Sequence, residues 1–345
     1  MKKMNLPNLQ RAEKLIALKK RLFIGAYGFE DRTIGWLQYQ SELTKGAILD
    51  SALMFNYDLS NDLHPSPNKT TLIQTLLKRL GCINGIQEIG YNWEMPNNIE
   101  DEIEDFFSRK LKSYEEIIVD ISTMSKYLIL ICLLKLTEYN GSIRIVYSEA
   151  SKYSPSYKEY LKSKDNMAFL AKYPSQGVAA IARARCLSSI RMQGQPVTLI
   201  AFTSFNEQLV RHLLGTMNPH RLILINGRPP DPKLKWRESA TQEIHKKLIE
   251  TFSIYNPLDK DNFMTNSIST LDYKETIDVV NKIYNEVGNY ERIICGVTGS
   301  KMQTVGLYFS KILHPDIHLE YPTPSSYYVE GLSQGVKKIH ELIIN

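Results

Sequence analysis

Residues 117–126 read IIVDISTMSK, and residues 293–302 read IICGVTGSKM. Each stretch opens on paired isoleucines, reaches a turn of small hydroxyl residues and closes on Ser-Lys before a further apolar run. A short apolar run stopped by Ser, Thr and Gly is the pattern of a buried strand entering a turn. The same strand-and-turn unit written twice in one chain points to internal duplication.

The flanking sequence repeats as well. RLFIGAYGFEDR at 21–32 matches PVTLIAFTSFNEQ at 196–208, with Phe29 on Phe205 and Asp31 on Glu207. Gly25 then stands 176 positions before Ala201, and Asp120 stands 176 positions before Gly296. Each half therefore places its Ser/Thr turn 95 residues after its first strand. RIVYSEASKY at 144–153 resembles HLEYPTPSSYY at 318–328, and SQGVAAI at 175–181 resembles SQGVKKI at 333–339.

Within each half, strand and helix patterns alternate. In the first half LFIGAY, AILDSALMF, IQEIGY, EIIVDI and IRIVYS read as strands, with helical patterns between them such as IEDEIEDFFSRKL, whose Ile99, Ile103, Phe106 and Phe107 share one helical face. The second half has strands at VTLIAF, RLILIN, FMTNSIST, RIICGV and IHLEY. Strands apolar on both faces suit parallel sheets covered by helices. Alternating βα units predict two tandem Rossmann-like three-layer αβα domains with mainly parallel sheets. The expected boundaries are 1–162 for a first domain with an N-terminal helix, 163–195 for a helical excursion and linker, and 196–345 for a second domain with a C-terminal helix.

Composition narrows the function classes. The 345 residues are 43% hydrophobic and 23% charged, with a net charge of +5. That is a globular profile, and the basic balance is too diffuse to indicate direct binding of duplex nucleic acid. Cys82, Cys132, Cys186 and Cys295 are too far apart for a zinc knuckle or a CxxC pair, which predicts reduced thiols and a cytoplasmic setting. His212 and His220 share no metal spacing with each other and no metal is expected, and no sequence feature names a cofactor. The longest apolar run, YLILICLLKL at 127–136, is half the roughly 20 residues of a membrane span, and it reads as a buried helix. No signal-peptide pattern is expected at the N-terminus.

In open parallel sheets, ligands meet the carboxyl ends of the strands. In the first half that singles out Gly28 and Arg32 after strand one, and Ser122, Thr123, Ser125 and Lys126 after strand four. In the second half it singles out Asn226 and Arg228 after strand two, and Thr298, Gly299, Ser300, Lys301 and Gln303 after strand four. Hydroxyls, helix N-terminal amides and a lysine together suit a phosphate. Ordinary helix capping explains the same Ser/Thr residues. TGSK is not a P-loop, because the glycine five residues before the final Gly-Lys is absent. Tyr147, Tyr153, Tyr157, Tyr321, Tyr327 and Tyr328 are available to stack on bases or to edge the sheets. Glu30, Asp31, Asp120 and Glu149 are candidate acid/base groups, for which caps and ion pairs are the plain alternative.

GVTGSKM at 296–302, and more loosely DISTMSK at 120–126, resemble the strand-four turn of the CRISPR-associated Rossmann fold, the CARF family. Two such units in one chain resemble the fused CARF-like pair of SAVED domains. The resemblance implies two sheets packed as a pseudo-dimer with facing turns, and binding of a nucleotide or cyclic oligonucleotide in prokaryotic antiviral defence. With no separate effector domain visible, it implies signalling through a protein partner. Two other classes remain: an enzyme cleaving a nucleotide phosphate or glycosidic bond with the acids of the first half, and a structural subunit of a defence complex.

Overall fold

The computed structural model describes residues 6–16, 19–57, 67–83, 85–92, 98–166, 170, 175–255, 263–327 and 333–345. In chain order the elements are β1 (Gln10–Arg11), β2 (Arg21–Ala26), α1 (Arg32–Leu43), β3 (Ser51–Tyr57), α2 (Pro67–Arg79), β4 (Ile86–Tyr91), α3 (Ile99–Lys110), β5 (Glu116–Asp120), α4 (Lys126–Lys135), β6 (Ser142–Glu149) and α5 (Tyr157–Ser163). There follow β7 (Ser175–Gln176), β8 (Ala180–Ala182), β9 (Val197–Phe202), α6 (Gln208–Met217), β10 (Arg221–Arg228), α7 (Trp236–Tyr255), β11 (Phe263–Ser269), α8 (Tyr273–Val287), β12 (Arg292–Gly296), α9 (Lys301–Leu313), β13 (His318–Thr323), β14 (Ser326–Tyr327) and β15 (Lys338–Ile344).

The chain divides into two compact units, Met1–Tyr153 with Leu332–Asn345, and Ser154–Gly331. The first unit is built on the sheet β1-β15-β6-β5-β2-β3-β4, and the second on β11-β10-β9-β12-β13-β8. The five strands shared by both, β4-β3-β2-β5-β6 and β11-β10-β9-β12-β13, run parallel. The two Rossmann-like domains are thus present. The 95-residue spacing is the register of the central strand pair: Ile24 faces Val119 and Ile200 faces Cys295.

β2 and β5 are buried along their whole length, as strands covered on both sides must be. Phe23 stacks on Trp36 of α1, with centroids 5.6 Å apart, at the centre of the first core. The predicted buried helix is α4, in which Tyr127–Leu133 are enclosed. Leu199, Leu213, Leu222 and Ile294 centre the main core of the second unit. No described helix is long and apolar enough to cross a membrane.

Three expectations are corrected. The described residues before β2 form no helix and hold the short strand β1. The C-terminal segment is β15, antiparallel to β6, and it belongs to the first unit rather than to 196–345. The segment 163–195 holds the strands β7 and β8, and β8 pairs antiparallel with β13. Each sheet is therefore closed by a strand from the other side of the repeat: β8 follows β6 in sequence and pairs with β13, while β15 follows β13 and pairs with β6.

The two SQGV segments occupy equivalent places. Lys338 faces Glu149 and Ala180 faces Thr323. The Lys337 and Ala179 amides donate to the Glu149 and Thr323 carbonyls, both at 2.8 Å. Gly335 (φ +66°) and Gly177 (φ +65°) share the left-handed conformation that glycine adopts most readily.

Candidate functional site

In the first unit, the turns after β2 and β5 touch. A Cβ on Gly28 would lie 3.0 Å from Thr123 Cβ and 2.8 Å from Thr33 Oγ1, so the contact requires glycine. The Tyr57 hydroxyl at the end of β3 ties the turn together: it donates to the Thr123 carbonyl (3.2 Å) and accepts from the Ser125 amide (2.7 Å). Behind it, Tyr57, Tyr91 and Tyr127 pack ring against ring beneath the start of α4.

Each predicted residue of the β5 turn has a distinct place. Ser122 is buried, its Oγ accepting from the Ser148 amide (2.8 Å) while its amide donates to Asp120 Oδ1 (2.9 Å). Asp120 is 5% exposed at the strand end. Ser125 caps α4 through the Leu128 amide (3.2 Å). Thr123 and Lys126 are half-buried on the turn. Loss of solvent pushes the Lys126 ammonium down to about 8, so the amine stays mostly protonated at pH 7 and an added anion would favour that charged form.

Arg32 lies in the same region but is buried against Glu30 (2.6 Å). Burial works against its charge, and Glu30 outweighs that effect and raises the guanidinium above its ordinary value. Glu30 also accepts from Ser333 Oγ. Asp31 accepts from the Gly335 amide (2.8 Å) and from Lys69 (3.0 Å), which hold it below the usual carboxylate range. Glu149 faces His340 (3.2 Å) and Lys337 (3.8 Å). The three acids outside the β5 turn thus fasten β15 and the chain leading into it.

The second unit uses its corresponding residues differently. Thr298 is buried, accepting from the Phe202 amide (2.9 Å) and donating to the Phe202 carbonyl (2.8 Å). Gly299 presses on Phe202, where a Cβ would lie 2.9 Å from the ring. Ser300 and Gln303 form a reciprocal capping box at the start of α9, and Ser300 Oγ also donates to the Thr270 carbonyl (2.7 Å). The Ser300 and Gln303 amides at that helix start are therefore met by the chain itself. Lys301 is half-buried at the first helical position. Asn226 is buried, and its Oδ1 has no hydrogen-bond partner among the described residues. Arg228 is paired with Glu275 (2.8 Å).

The first-strand turn grips an SQGV segment in both units. Asn206, which aligns with Glu30, donates to Ser175 Oγ (3.3 Å), and Gln208 accepts from the Gly177 amide (2.8 Å). The sequence marked SQGV as repeated without assigning it this role, and it did not single out Tyr57. The repeat was the signal for the first; the aromatic residue closing β3 was the signal for the second. Of the tyrosines considered for stacking, Tyr147 and Tyr153 lie near Arg32, and Tyr157 stands against Trp236 (5.3 Å). Tyr328 falls outside the described residues.

No protein-family model matches the chain, and no curated protein matches it. Among solved structures it is similar to a Type III CRISPR defence DNA nuclease activated by cyclic oligoadenylate, at 10% identity and a TM-score of 0.51. That alignment covers 87% of this chain and 65% of the nuclease, so the chain spans less than two thirds of its neighbour. Can2 from Sulfobacillus thermosulfidooxidans, in complex with cyclic tetra-adenylate, aligns over 87% of this chain and 95% of its own at 12% identity, with a TM-score of 0.25. The likeness to the nuclease is one of fold, and the two Rossmann-like domains expected from the sequence are the fold this chain has.

Proposed function

We propose that this chain binds a nucleotide, of the cyclic oligonucleotide class, at the strand-end turns and acts as a sensor in antiviral defence. The observation that carries the reading is Lys126: a desolvated ammonium at the N-terminus of a buried helix, where the β2 and β5 turns meet. Support for the ligand class comes from the fold shared with a nuclease activated by cyclic oligoadenylate. Binding is favoured over catalysis because Glu30 and Asp31 are held by Arg32, Lys69 and the segment leading into β15. The finer reading is that the bound state is passed to a protein partner.

A thermal-shift panel of mono-, di- and cyclic oligonucleotides, with product analysis of each hit, tests this. A ligand that stabilises the protein and is recovered intact is expected. Lys126→Ala is expected to weaken it by roughly 1.5–3 kcal/mol, as for a lost charge-assisted contact. Because the anion needs the protonated amine, affinity should fall about tenfold between pH 7 and 9, through the value of about 8. The effect of the same amine on stability runs the other way. Its folded value lies below its ordinary value of 10.5, so stability without ligand rises with pH between the two. Ligand cleavage that Asp120→Asn abolishes, or affinity indifferent to Lys126, would overturn the reading.

A further inference from the structure

Away from the strand-end turns, the first unit holds a cavity of about 280 Å³ between β1, α1 and the chain entering β15. Its floor is apolar and made of Ala12, Gly35, Val336 and Ile339. Gly35 lets α1 pack closely on the chain entering β15, since a Cβ there would lie 3.1 Å from Val336 and 2.8 Å from Ser148 Oγ. Val336 is 36% exposed although apolar. The rim carries Arg11, Lys337 and Lys338 against the single acid Glu42. Glu42 accepts from Gln38 (2.9 Å), and Lys337 leans toward Glu149 (3.8 Å). Among the described residues, Arg11 and Lys338 have no acidic partner.

The repeat provides an internal control. The equivalent positions in the second unit, Ala179 and Ala180, make the same backbone pairings without either lysine. Lys338 is therefore not needed to seat the strand. Its charge and that of Arg11 share one groove without an acidic partner among the described residues, which marks a charged recognition surface.

We propose that this groove docks an acidic segment of a partner protein: an apolar side chain seated on Gly35, Val336 and Ile339, flanked by carboxylates that reach Arg11 and Lys338. Charge complementarity selects this occupant, and the small apolar floor suits one side chain better than a whole cofactor, whose pockets begin at about 300 Å³. The proposal stands apart from the nucleotide reading, because none of these residues belongs to the strand-end turns.

The test is selection of a random peptide library on the immobilised chain and on its Lys338→Ala variant, which places there the alanine of the second repeat. Wild type should enrich peptides with Asp or Glu on both sides of an apolar residue, and the variant should not. The enriched peptide, labelled and measured by fluorescence anisotropy, should bind about tenfold more weakly to Arg11→Ala, and should lose binding when its carboxylates are replaced by amides. Both variants should keep the wild-type melting temperature and any nucleotide-induced shift. No enrichment on wild type, enrichment of neutral peptides, or enrichment equal on Lys338→Ala would each overturn the proposal.

Discussion

The two clasps show what duplication preserves and what it frees. Both hold SQGV with the same backbone: the same left-handed glycine, the same ladder pairing and the same grip by the first-strand turn. Their side chains differ. The first unit uses Glu30, Asp31 and Glu149, and the second uses Asn206 and Gln208. Backbone geometry is what the fold demands. The charges are an addition made in one copy only.

The opposite ends of the sheets diverge further. In the first unit Arg144 sits between Glu116 (2.9 Å) and Glu341 (2.8 Å), which are 2% and 0% exposed, and Arg21 reaches Glu116 as well. By the repeat alignment, the second unit has Arg292, His318 and Arg183 at the places of Glu116, Arg144 and Glu341. There His318 faces Glu320 (2.7 Å), with Arg183 3.8 Å away. The largest expected effect follows. Arg144→Leu takes the ion pair from buried Glu341 and leaves buried Glu116 with Arg21 alone, and should cost about 3–5 kcal/mol in denaturant unfolding. His318→Leu deprives one carboxylate that keeps Arg183 nearby, and should cost less. Equal costs would mean the two networks are energetically alike. Burial opposes the Glu116 charge, but Arg21 and Arg144 prevail and hold its value below 4.5. Its contribution is therefore present above pH 4.5 and lost as pH falls through the depressed value, an acid sensitivity that Arg144→Leu should reduce.

Next in size are Gly335→Ala and Gly177→Ala. With φ of +66° and +65°, each should lose about 1–2 kcal/mol, and by similar amounts if the backbone is the shared element. A large difference between them would break the equivalence of the clasps. Smaller still is the effect of Asp31, whose side chain is half exposed. Acid should weaken protection of the Gly335 amide from hydrogen exchange as pH falls through the depressed Asp31 value. The Gly177 amide, held by the neutral Gln208, should follow only the intrinsic pH dependence of exchange. Smallest is Arg228→Ala, which removes an exposed pair with Glu275 and should change stability by about 1 kcal/mol or less.

The parallel core was legible because its signals are local and doubled. The central register is written into the chain as a spacing of 95 residues, which Ile24 to Val119 and Ile200 to Cys295 both obey. The closing strands were not legible. Ile339, Leu342 and Ile343 fall at helical spacing, and only the open edge of β6, distant in sequence, makes KIHELII a strand. The site was half legible. The turns after β2 and β5 do meet, but sequence cannot show whether a hydroxyl faces outward or is taken by its own backbone. Thr298, Ser300 and Gln303 went to capping and strand ties, because a helix start leaves amides that the nearest oxygen will satisfy.

The exchange of closing strands also bears on how the protein is made. Synthesis runs from the N-terminus, and domains commonly fold in that order. Here the strand that covers the β6 edge leaves the ribosome after every strand of the second sheet. The first sheet must wait with that edge uncovered while the second is translated. The earlier half of the chain is thus the later one to be finished.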